Sequence, residues 1–400
     1  MKTRHVKPVV DAVATLVISL GLAGCSGNYS HTPPPGCGNN CPPSPEFLYA
    51  TSPDHILAFT IDQSTGALGA PSAIAGPNQS TGMVSTVTLG HLYVSDFLND
   101  TVDGFSVNAT SGALTAMLGS PFPLGGTPPG AGGLSAIVPA GNYLYATDLN
   151  AGKVAGFAFD SASGKLTAVP GSPFAAGNTP VHAEQAGFQG KFLYVSNLND
   201  SAGGISAYTI DFNTGALTPI PGSPFPTGAA GSFPGPSALV VNGNFLYVAL
   251  AGTVNANNKI VAFAIDPNTG VLSAVPGSPF LTGADPLYMA LVPVPSVGLP
   301  GAFLYTANIH DNTISAFTVN LNTGVLTPVS GAPYSGASTL AGLAVSLRAT
   351  NTGNWFLYAA DQAGSIRGYT VDGNTGALSS MSGSPFTAGN PPILLTVVLP

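Results

Sequence analysis

Short apolar runs alternate with polar turns along nearly the whole chain. The segment 192–225, FLYVSNLNDSAGGISAYTIDFNTGALTPIPGSPF, shows the unit: two apolar runs around a polar turn, a hairpin turn, and a third run that ends at proline. Runs of this length, rich in β-branched and aromatic residues and bounded by Gly, Pro, Asn and Asp, predict β-strands. Because the same pattern returns along the sequence, repeats organise the chain, and a domain count based on length does not apply.

A Leu-Tyr pair marks the first strand of each repeat, with intervals of 44 to 58 residues between the copies. The seven copies are Leu48-Tyr49, Leu92-Tyr93, Leu144-Tyr145, Leu193-Tyr194, Leu246-Tyr247, Leu304-Tyr305 and Leu357-Tyr358. Each is followed by a second apolar run whose fourth residue is aromatic, and these residues are Phe59, Phe105, Phe157, Tyr208, Phe263, Phe317 and Tyr369. Large side chains of this kind fill the space between stacked sheets.

A hairpin turn follows each of these two-strand units. It reads Asp or Asn, two residues, Ser or Thr, and Gly, and it ends at Gly66, Gly112, Gly164, Gly215, Gly270, Gly324 and Gly376. The glycine supplies a positive φ, and the leading Asp or Asn can bond its own backbone. The turn superficially resembles the start of a calcium loop, but its sevenfold recurrence and the missing downstream Glu favour a structural role.

The third strand of six repeats ends at the tetrapeptide Gly-Ser-Pro-Phe or a variant of it, as at 222–225. A loop of variable length and another apolar run, such as 236–243, then lead into the next Leu-Tyr strand. Each repeat therefore predicts a four-stranded antiparallel sheet with the size and content of one propeller blade.

The two ends of the repeat region complement each other. Residue 46 leads directly into a Leu-Tyr strand, so the first blade lacks one strand, and the segment 392–400 is a spare apolar run. Placing this run as the innermost strand of the blade that residues 47–75 begin removes an exposed sheet edge. We therefore predict an all-β fold: a seven-bladed β-propeller over residues 46–400, closed by pairing of the C-terminal strand with the N-terminal blade.

The N-terminus has the features of an export signal. Residues 12–23 form an uncharged, mostly apolar run that is too short to span a bilayer as a helix, and it follows Lys2, Arg4 and Lys7. The run ends in Leu22-Ala23-Gly24-Cys25, which resembles the bacterial lipobox. This resemblance implies a lipoprotein signal peptide at 1–24, lipidation of Cys25, and a lipid-anchored location in the bacterial cell envelope. An ordinary signal peptide with a chance cysteine is the alternative.

Ser26 follows the lipobox, and by resemblance to Gram-negative lipoproteins it favours the outer membrane. Residues 25–45 are rich in Pro, Gly, Ser and Asn without an apolar period, so they predict a tether between the membrane and the propeller. Cys37 and Cys41 lie within it, and in an oxidising compartment we expect a local disulfide. A metal site is the weaker alternative, because His31 is the one further ligand nearby.

Charge excludes one class of partner. Charged residues make up 6% of the chain, and removal of residues 1–24 leaves 6 basic against 16 acidic side chains, a formal charge of −10. Nucleic-acid binding needs clustered Lys and Arg, and here they are scattered singly. We expect no nucleic-acid partner and a monomeric protein.

Variable loops and strand ends supply the candidate binding surface. By resemblance to propellers generally, the connections between blades share one rim with the residues that follow each Leu-Tyr strand, and loops on a rigid scaffold commonly bind ligands. A small molecule, such as a lactone or a sugar, or a protein could bind there. The rim candidates are Asp96, Asp148, Asn197, Asn308 and Asp361. Alternatively, these residues only cap their own turns.

The remaining polar clusters predict little chemistry. Asp96, Asn99, Asp100 and Asp103 could gather a cation, but they span a hairpin turn and we expect them to face solvent. The sequence has no nucleophile elbow and no nucleotide-binding loop. We therefore predict neither a metal site nor a cofactor.

The repeats and motifs such as Tyr194-Val-Ser-Asn197 resemble the seven-bladed lactonase-like propellers, which include the propeller-type 6-phosphogluconolactonases and the YVTN-repeat surface proteins. In the enzymes of that family, a Pro followed closely by His lies on an inner strand near the central pocket. Pro180-Val-His182-Ala-Glu184 is the one segment that looks similar. His182 and Glu184 would share a strand face, so the carboxylate could orient the imidazole as a general base. Local bonding of both side chains without catalysis is the alternative.

This chain departs from the family pattern at two points. The family's second His is replaced, and Arg348 and Arg367 do not match its site. Without a cation, neither a phosphorylated substrate nor a developing oxyanion has a partner. The sequence therefore favours a ligand-binding or partner-binding module over the alternative, a lactonase that uses His182 and Glu184.

Overall fold

The computed structural model describes residues 45–400 except 78, 87–89, 126–131, 188–189, 201–203, 229–234, 252–257, 295–300, 336 and 351–352. The signal peptide, most of the tether, Cys25, Cys37 and Cys41 lie outside the described residues. The described part forms seven antiparallel sheets, which are the blades of a propeller. Within it, no helix is long and apolar enough to cross a membrane.

The first strand of each blade lies nearest the propeller axis, and the second strand carries the Leu-Tyr pair. From blade 1 to blade 7 the inner strands are β34 (Leu395–Val398), β4 (Met83–Thr86), β9 (Leu134–Ala140), β14 (Pro180–Ala186), β19 (Gly235–Asn242), β24 (Pro286–Pro293) and β29 (Leu340–Val345). The second strands are β1 (Phe47–Thr51), β5 (His91–Asp96), β10 (Tyr143–Asp148), β15 (Phe192–Asn197), β20 (Phe245–Ala251), β25 (Ala302–Asn308) and β30 (Trp355–Asp361).

The outer half of each blade is built from a long third strand and a short fourth strand. The third strands are β2 (His55–Thr60), β6 (Thr101–Val107), β11 (Lys153–Phe159), β16 (Gly204–Ile210), β21 (Lys259–Ile265), β26 (Thr313–Val319) and β31 (Ser365–Val371). The fourth strands are β3 (Ser72–Ala75), β7 (Leu114–Ala116), β12 (Leu166–Ala168), β17 (Leu217–Pro219), β22 (Leu272–Ala274), β27 (Leu326–Pro328) and β32 (Leu378–Ser380).

Six blades add a two-residue strand that pairs with the third strand beyond the fourth. These are β8 (Phe122–Pro123), β13 (Phe174–Ala175), β18 (Phe225–Pro226), β23 (Phe280–Leu281), β28 (Tyr334–Ser335) and β33 (Phe386–Thr387). The Gly-Ser-Pro-Phe tetrapeptide makes the connection. Its serine accepts a hydrogen bond from a third-strand N–H, as Ser172 Oγ does from Gly156 at 3.0 Å. The tetrapeptide thus continues the blade edge past the proline.

Closure of the ring follows the predicted pairing. Strand β34 pairs antiparallel with β1, with Phe47 opposite Val398 and Ala50 opposite Leu395, and the sheet order of blade 1 is β3-β2-β1-β34. The prediction of a seven-bladed propeller closed by its C-terminal strand is therefore confirmed. Joining the two chain ends within one sheet removes a free edge at the axis.

Hydrophobic contacts between neighbouring blades form the core. The seven buried clusters combine side chains from adjacent blades, and one of them packs Val138 and Tyr145 of blade 3 against Leu193 and Val195 of blade 4. Every blade therefore depends on its neighbours to bury both of its faces.

The Leu-Tyr tyrosines join the blades by hydrogen bonds. All seven are fully buried, and each hydroxyl donates to the carbonyl of the hairpin glycine in the next blade. The distance is 2.7 Å from Tyr194 to Gly270. It is 2.8 Å from Tyr358 of blade 7 to Gly66 of blade 1, so the same bond closes the ring.

The residue before each Leu-Tyr pair packs on the same glycine. A Cβ built on Gly270 would lie 2.6 Å from the Phe192 ring and 2.5 Å from Ile220. At this position the other blades carry Phe47, His91, Tyr143, Phe245, Phe303 and Phe356. Glycine is therefore required in these hairpins for two reasons: its φ is positive, and a side chain would collide with the preceding blade.

We expect Gly270→Ala to lower the free energy of unfolding by about 3 kcal/mol, because it adds a clash in the core to the cost of a positive φ. Gly243 is the matched control, since its φ is also positive but a Cβ there would meet nothing within 4 Å. We expect Gly243→Ala to cost only about 1 kcal/mol. Chemical denaturation measures both values, and equal losses would contradict the packing role.

His91 replaces the usual phenylalanine or tyrosine in blade 2, and its Nδ1 has no hydrogen-bond partner among the described residues. Burial lowers the pKa of His91, against a smaller opposing effect of Asp160. The folded state therefore disfavours the imidazolium, and stability is lost as the pH falls below the unfolded pKa of about 6.5.

We expect His91→Phe to stabilise the protein, with an advantage that grows between pH 7 and pH 5, as measured by thermal unfolding. His55→Phe, at a partly exposed histidine, is the control for a change of residue type. An advantage of His91→Phe that does not vary with pH would show that protonation of His91 is not coupled to unfolding.

Candidate functional site

A cavity of about 100 Å³ lies at the propeller axis, where the seven inner strands meet. All seven blades contribute to its wall. One lining residue from each, in the order of the chain, is Gly82, Ala136, His182, Ala238, Tyr288, Gly342 and Leu394. Among the described residues that line the cavity, His182 and Tyr288 carry the largest polar side chains, and none is Lys, Arg, Asp or Glu.

The cavity lies near one rim of the propeller. Its lining residues belong to the first few positions of the inner strands or directly precede them. At this end the chain enters each blade from the previous one, and the second strands turn into the third strands. We call this edge the loop rim. The opposite edge, which carries the hairpins that end at glycine, is called the turn rim.

Strand β14 holds His182 at the cavity through an irregularity in its pairing. Pro180 pairs with Asn197 and His182 with Ser196, so the register shifts between Pro180 and His182. The N–H of Leu239 in blade 5 donates to Nδ1 of His182 at 3.4 Å. Because Nδ1 is the acceptor, a neutral His182 carries its proton on Nε2.

Burial lowers the pKa of His182 to about 4. The imidazole is therefore neutral at physiological pH, when it can donate one hydrogen bond from Nε2. It carries no charge that would attract an anion.

Tyr288 is the site residue that the sequence analysis missed. It lies on the inner strand of blade 6, two blades from His182, and burial raises its pKa, so the phenol stays protonated. The segment Pro286-Leu-Tyr288 matches Pro180-Val-His182, and both strands shift register after the proline. Aligning the two inner strands at their prolines places Tyr288 at the position of His182, so this comparison would have identified Tyr288 from the sequence. Leu287-Tyr288 also breaks the rule that Leu-Tyr marks a second strand.

Glu184 shares a strand face with His182, as the alternation predicts, because the pairing from His182 to Ala186 is regular. Glu184 is fully buried and pairs with Tyr194. The inner-strand residues that pair with the corresponding tyrosine in blades 3, 5 and 6 are Val138, Val240 and Ala290. Glu184 thus replaces an apolar residue between blades 4 and 5. It is not among the residues that line the cavity, and its catalytic role stays a prediction.

Both remaining arginines lie away from the cavity lining. Arg367 Nε is 3.6 Å from Asp361 Oδ2. Arg348 lies beside Glu46, whose pKa is raised to about 7 because burial outweighs the effect of the arginine. The described part of the cavity therefore offers no cation to a phosphate or carboxylate.

The rim candidates Asp96, Asp148, Asn197, Asn308 and Asp361 are buried at the ends of their second strands. Their side chains accept hydrogen bonds from the loop rim. Asp361 accepts from the N–H groups of Ser338 and Thr339 at 3.1 and 3.2 Å, and Asn197 accepts from Gly177 at 3.1 Å. The bonds of Asn197 and Asp361 hold connections between blades, whereas Asp96 and Asp148 accept from Asn99 and Ala151 in their own turns. A role in ligand binding stays a prediction.

The expectation that the acidic residues of blade 2 face solvent is wrong for Asp96 and Asp100, which are 5% and 3% exposed. Asp96 accepts from the N–H of Asn99 at 2.9 Å, so it caps the turn from within the blade. Burial, with a smaller effect of Asp96, raises the pKa of Asp103 to about 6. Among the described residues, no group of three His, Cys, Asp or Glu side chains could hold a metal ion.

Solved structures with the same fold come from several bacteria. A "putative 6-phosphogluconolactonase" from Bacteroides uniformis ATCC 8492 matches with a TM-score of 0.67 and 19% identity, over 89% of this chain and 100% of that one. A "putative 6-phosphogluconolactonase" from Bacteroides fragilis NCTC 9343 matches with a TM-score of 0.65 and 16% identity, over 89% and 98%. A protein from Lactobacillus plantarum matches with a TM-score of 0.60 and 17% identity, over 89% and 99%. At these identities the likeness concerns the fold alone.

No curated protein matches the sequence significantly. The family described as "Lactonase, 7-bladed beta-propeller" matches residues 134–339, just over half of the chain. This segment includes the inner strands that carry His182 and Tyr288. The chain belongs to the family of seven-bladed β-propeller lactonases.

Proposed function

We propose that this protein is an exported, lipid-anchored member of its family that binds a small, uncharged molecule in the axial cavity. One observation carries the proposal: His182, a neutral imidazole, lines a cavity whose described wall is otherwise mostly apolar and has no charged side chain. Sites of this type recognise ligands by shape and by a few placed hydrogen-bonding groups.

His182 suits recognition of an acceptor oxygen. The bond from Leu239 uses Nδ1 and leaves Nε2–H as the donor of the ring. A carbonyl or ring oxygen of a lactone or a neutral sugar can accept such a bond. A phosphate or carboxylate would lose its hydration in the cavity without gaining a counter-charge, which is unfavourable.

This charge pattern separates the proposal from the activity named for the two Bacteroides neighbours. A 6-phosphogluconolactone carries a phosphate, and phosphate recognition normally relies on Arg, Lys or a helix N-terminus. The described lining of the axial cavity contains none of these. An unphosphorylated ligand is therefore the better match to this chain.

Hydrolysis of an uncharged lactone is the second candidate. Family membership favours it, and so does the position of His182 at the cavity with Glu184 on the same strand face. A general base works best with a pKa near the working pH, whereas the pKa of His182 is lowered to about 4. Accepting a proton on Nε2 would also require the other tautomer and the loss of the bond from Leu239. Both facts favour binding over catalysis.

The envelope location rests on the N-terminal sequence. Lipidation of Cys25 would anchor the chain, residues 25–45 would act as the tether, and a Cys37–Cys41 disulfide would close a small loop within it. The anchored protein would work as a monomer in the bacterial cell envelope, on the outer membrane. A protein partner would contact the loop rim.

Binding and turnover are measured together for a panel of uncharged lactones and sugars, with 6-phosphogluconolactone as the charged member. We expect binding of at least one uncharged compound, no binding of the phosphorylated one, and a roughly three- to tenfold loss of affinity in His182→Ala, as for one hydrogen bond. His310→Ala is the matched control, because His310 is exposed and outside the cavity lining.

Two results would decide against this proposal. If the protein hydrolyses a lactone, and this activity is lost in His182→Ala but kept in His310→Ala, then it is an active lactonase. Affinity that is unchanged in His182→Ala would place the ligand outside the axial cavity. Isothermal titration calorimetry and a ring-opening assay on the same samples separate these outcomes.

A further inference from the structure

One residue in each blade occupies an equivalent position at the wall of the axial cavity. The residue after each Leu-Tyr pair is paired with an inner-strand residue, as Val195 is with Ala183, and the position directly precedes that inner-strand residue. His182 occupies it in blade 4 and Tyr288 in blade 6. In the other blades the same register gives Leu394, Gly82, Ala136, Ala238 and Gly342.

Small residues at this position leave the space that the two polar side chains share. Four of the seven positions carry Gly or Ala, and all seven line the cavity. Ala238 of blade 5 lies between His182 and Tyr288 in the order of the blades, and it offers only a methyl group. His182 and Tyr288 therefore face one cavity without a large side chain between them.

The cavity is so small that one ligand contacts both side chains. Its volume of about 100 Å³ is below the roughly 150 Å³ of an apolar cavity that holds one benzene ring in another protein. A compound with a single small ring fills a space of this size. Such a compound reaches His182 and Tyr288 at the same time.

The polar atoms of these two side chains lack partners within the described part of the protein. Tyr288 is half-buried, and no described residue forms a hydrogen bond with its hydroxyl, in contrast to the Leu-Tyr tyrosines, which all donate to a glycine carbonyl. Nε2 of His182 has no described partner either, because the bond from Leu239 uses Nδ1. Polar groups in such a place are unfavourable unless the molecule that enters the cavity bonds them.

The two groups differ in the hydrogen bonds that they can make. The neutral imidazole donates from Nε2, so the ligand must present an acceptor oxygen to His182. The phenol of Tyr288 can donate or accept, so it can bond a hydroxyl group of the same ligand. An apolar group in place of that hydroxyl would remove water from the phenol without giving it a new bond.

We propose that Tyr288 determines specificity in the axial cavity: together with His182, it selects a single-ring compound that carries a hydroxyl group besides its acceptor oxygen. The inference rests on the proposed function, because it places the ligand of His182 in this cavity. Compounds that carry an alkyl group instead of the hydroxyl bind more weakly, since the Tyr288 hydroxyl is then desolvated without a partner.

Matched pairs of lactones test this selectivity. γ-Butyrolactones that carry either a hydroxyl or a methyl group on the α or β carbon share the ring and have nearly the same size. In ligand-observed NMR titrations of the wild-type protein, we expect at least one hydroxyl compound to bind roughly tenfold more tightly than its methyl counterpart. In Tyr288→Phe we expect this preference to fall to about twofold or less, because the phenol hydroxyl is gone.

Two further variants serve as controls. Tyr334→Phe removes a hydroxyl from the same blade but outside the cavity lining, where it donates to the Ser330 carbonyl at 3.4 Å, so we expect it to keep the preference. His182→Ala is expected to weaken both members of a pair by a similar factor, because both carry the carbonyl. Thermal unfolding of each variant shows whether its fold is retained.

The results separate this inference from the proposed function. A hydroxyl preference that survives in Tyr288→Phe, equal affinity within every pair for the wild-type protein, or no binding of any member would overturn the inference. The proposed function would still stand if an uncharged compound bound in a way that depends on His182. Affinity that neither His182→Ala nor Tyr288→Phe changes would refute both.

Discussion

The bond from a buried tyrosine hydroxyl to the hairpin glycine of the next blade is the interaction on which the propeller depends. It occurs at all seven blade boundaries, including the one between the last blade and the first. A lost bond would leave a buried hydroxyl and a buried carbonyl without partners, so each boundary resists separation beyond its apolar contacts. The aromatic residue that precedes each Leu-Tyr pair packs on the same glycine, so this glycine takes part in both the hydrogen bond and the ring contact of every blade boundary.

The boundaries between blades share one pattern of residues, so a residue that departs from this pattern calls for a separate explanation. His91 stands where the other blades place a phenylalanine or tyrosine, and Glu184 stands where most place an apolar residue. Burying an ionisable group in such a position lowers the stability of the fold, so folding does not explain why these two ionisable residues replace apolar or aromatic ones. Glu184 lies in the same inner strand as His182, whereas His91 lies at the turn rim, where it packs on Gly164.

The wall of the cavity is mostly apolar, and its two large polar side chains, His182 and Tyr288, are both neutral because they are buried. Desolvation keeps His182 unprotonated and Tyr288 protonated, so each can donate a hydrogen bond while neither carries charge.

Sequence alone determined the blade number and the closure by the C-terminal strand, because strand periodicity, turn glycines and repeat spacing are local signals. His182 entered as a site candidate only through the resemblance of its segment to the lactonase-like propellers. The sequence did not identify Tyr288, because Leu287-Tyr288 looks like one more copy of the Leu-Tyr pair. It also did not identify the burial of Asp96 and Asp100, because their segment has the composition of an exposed turn. Those facts were decided by tertiary structure. The axial cavity exists only where seven inner strands meet, and residues more than 100 positions apart become neighbours there because the ring closes.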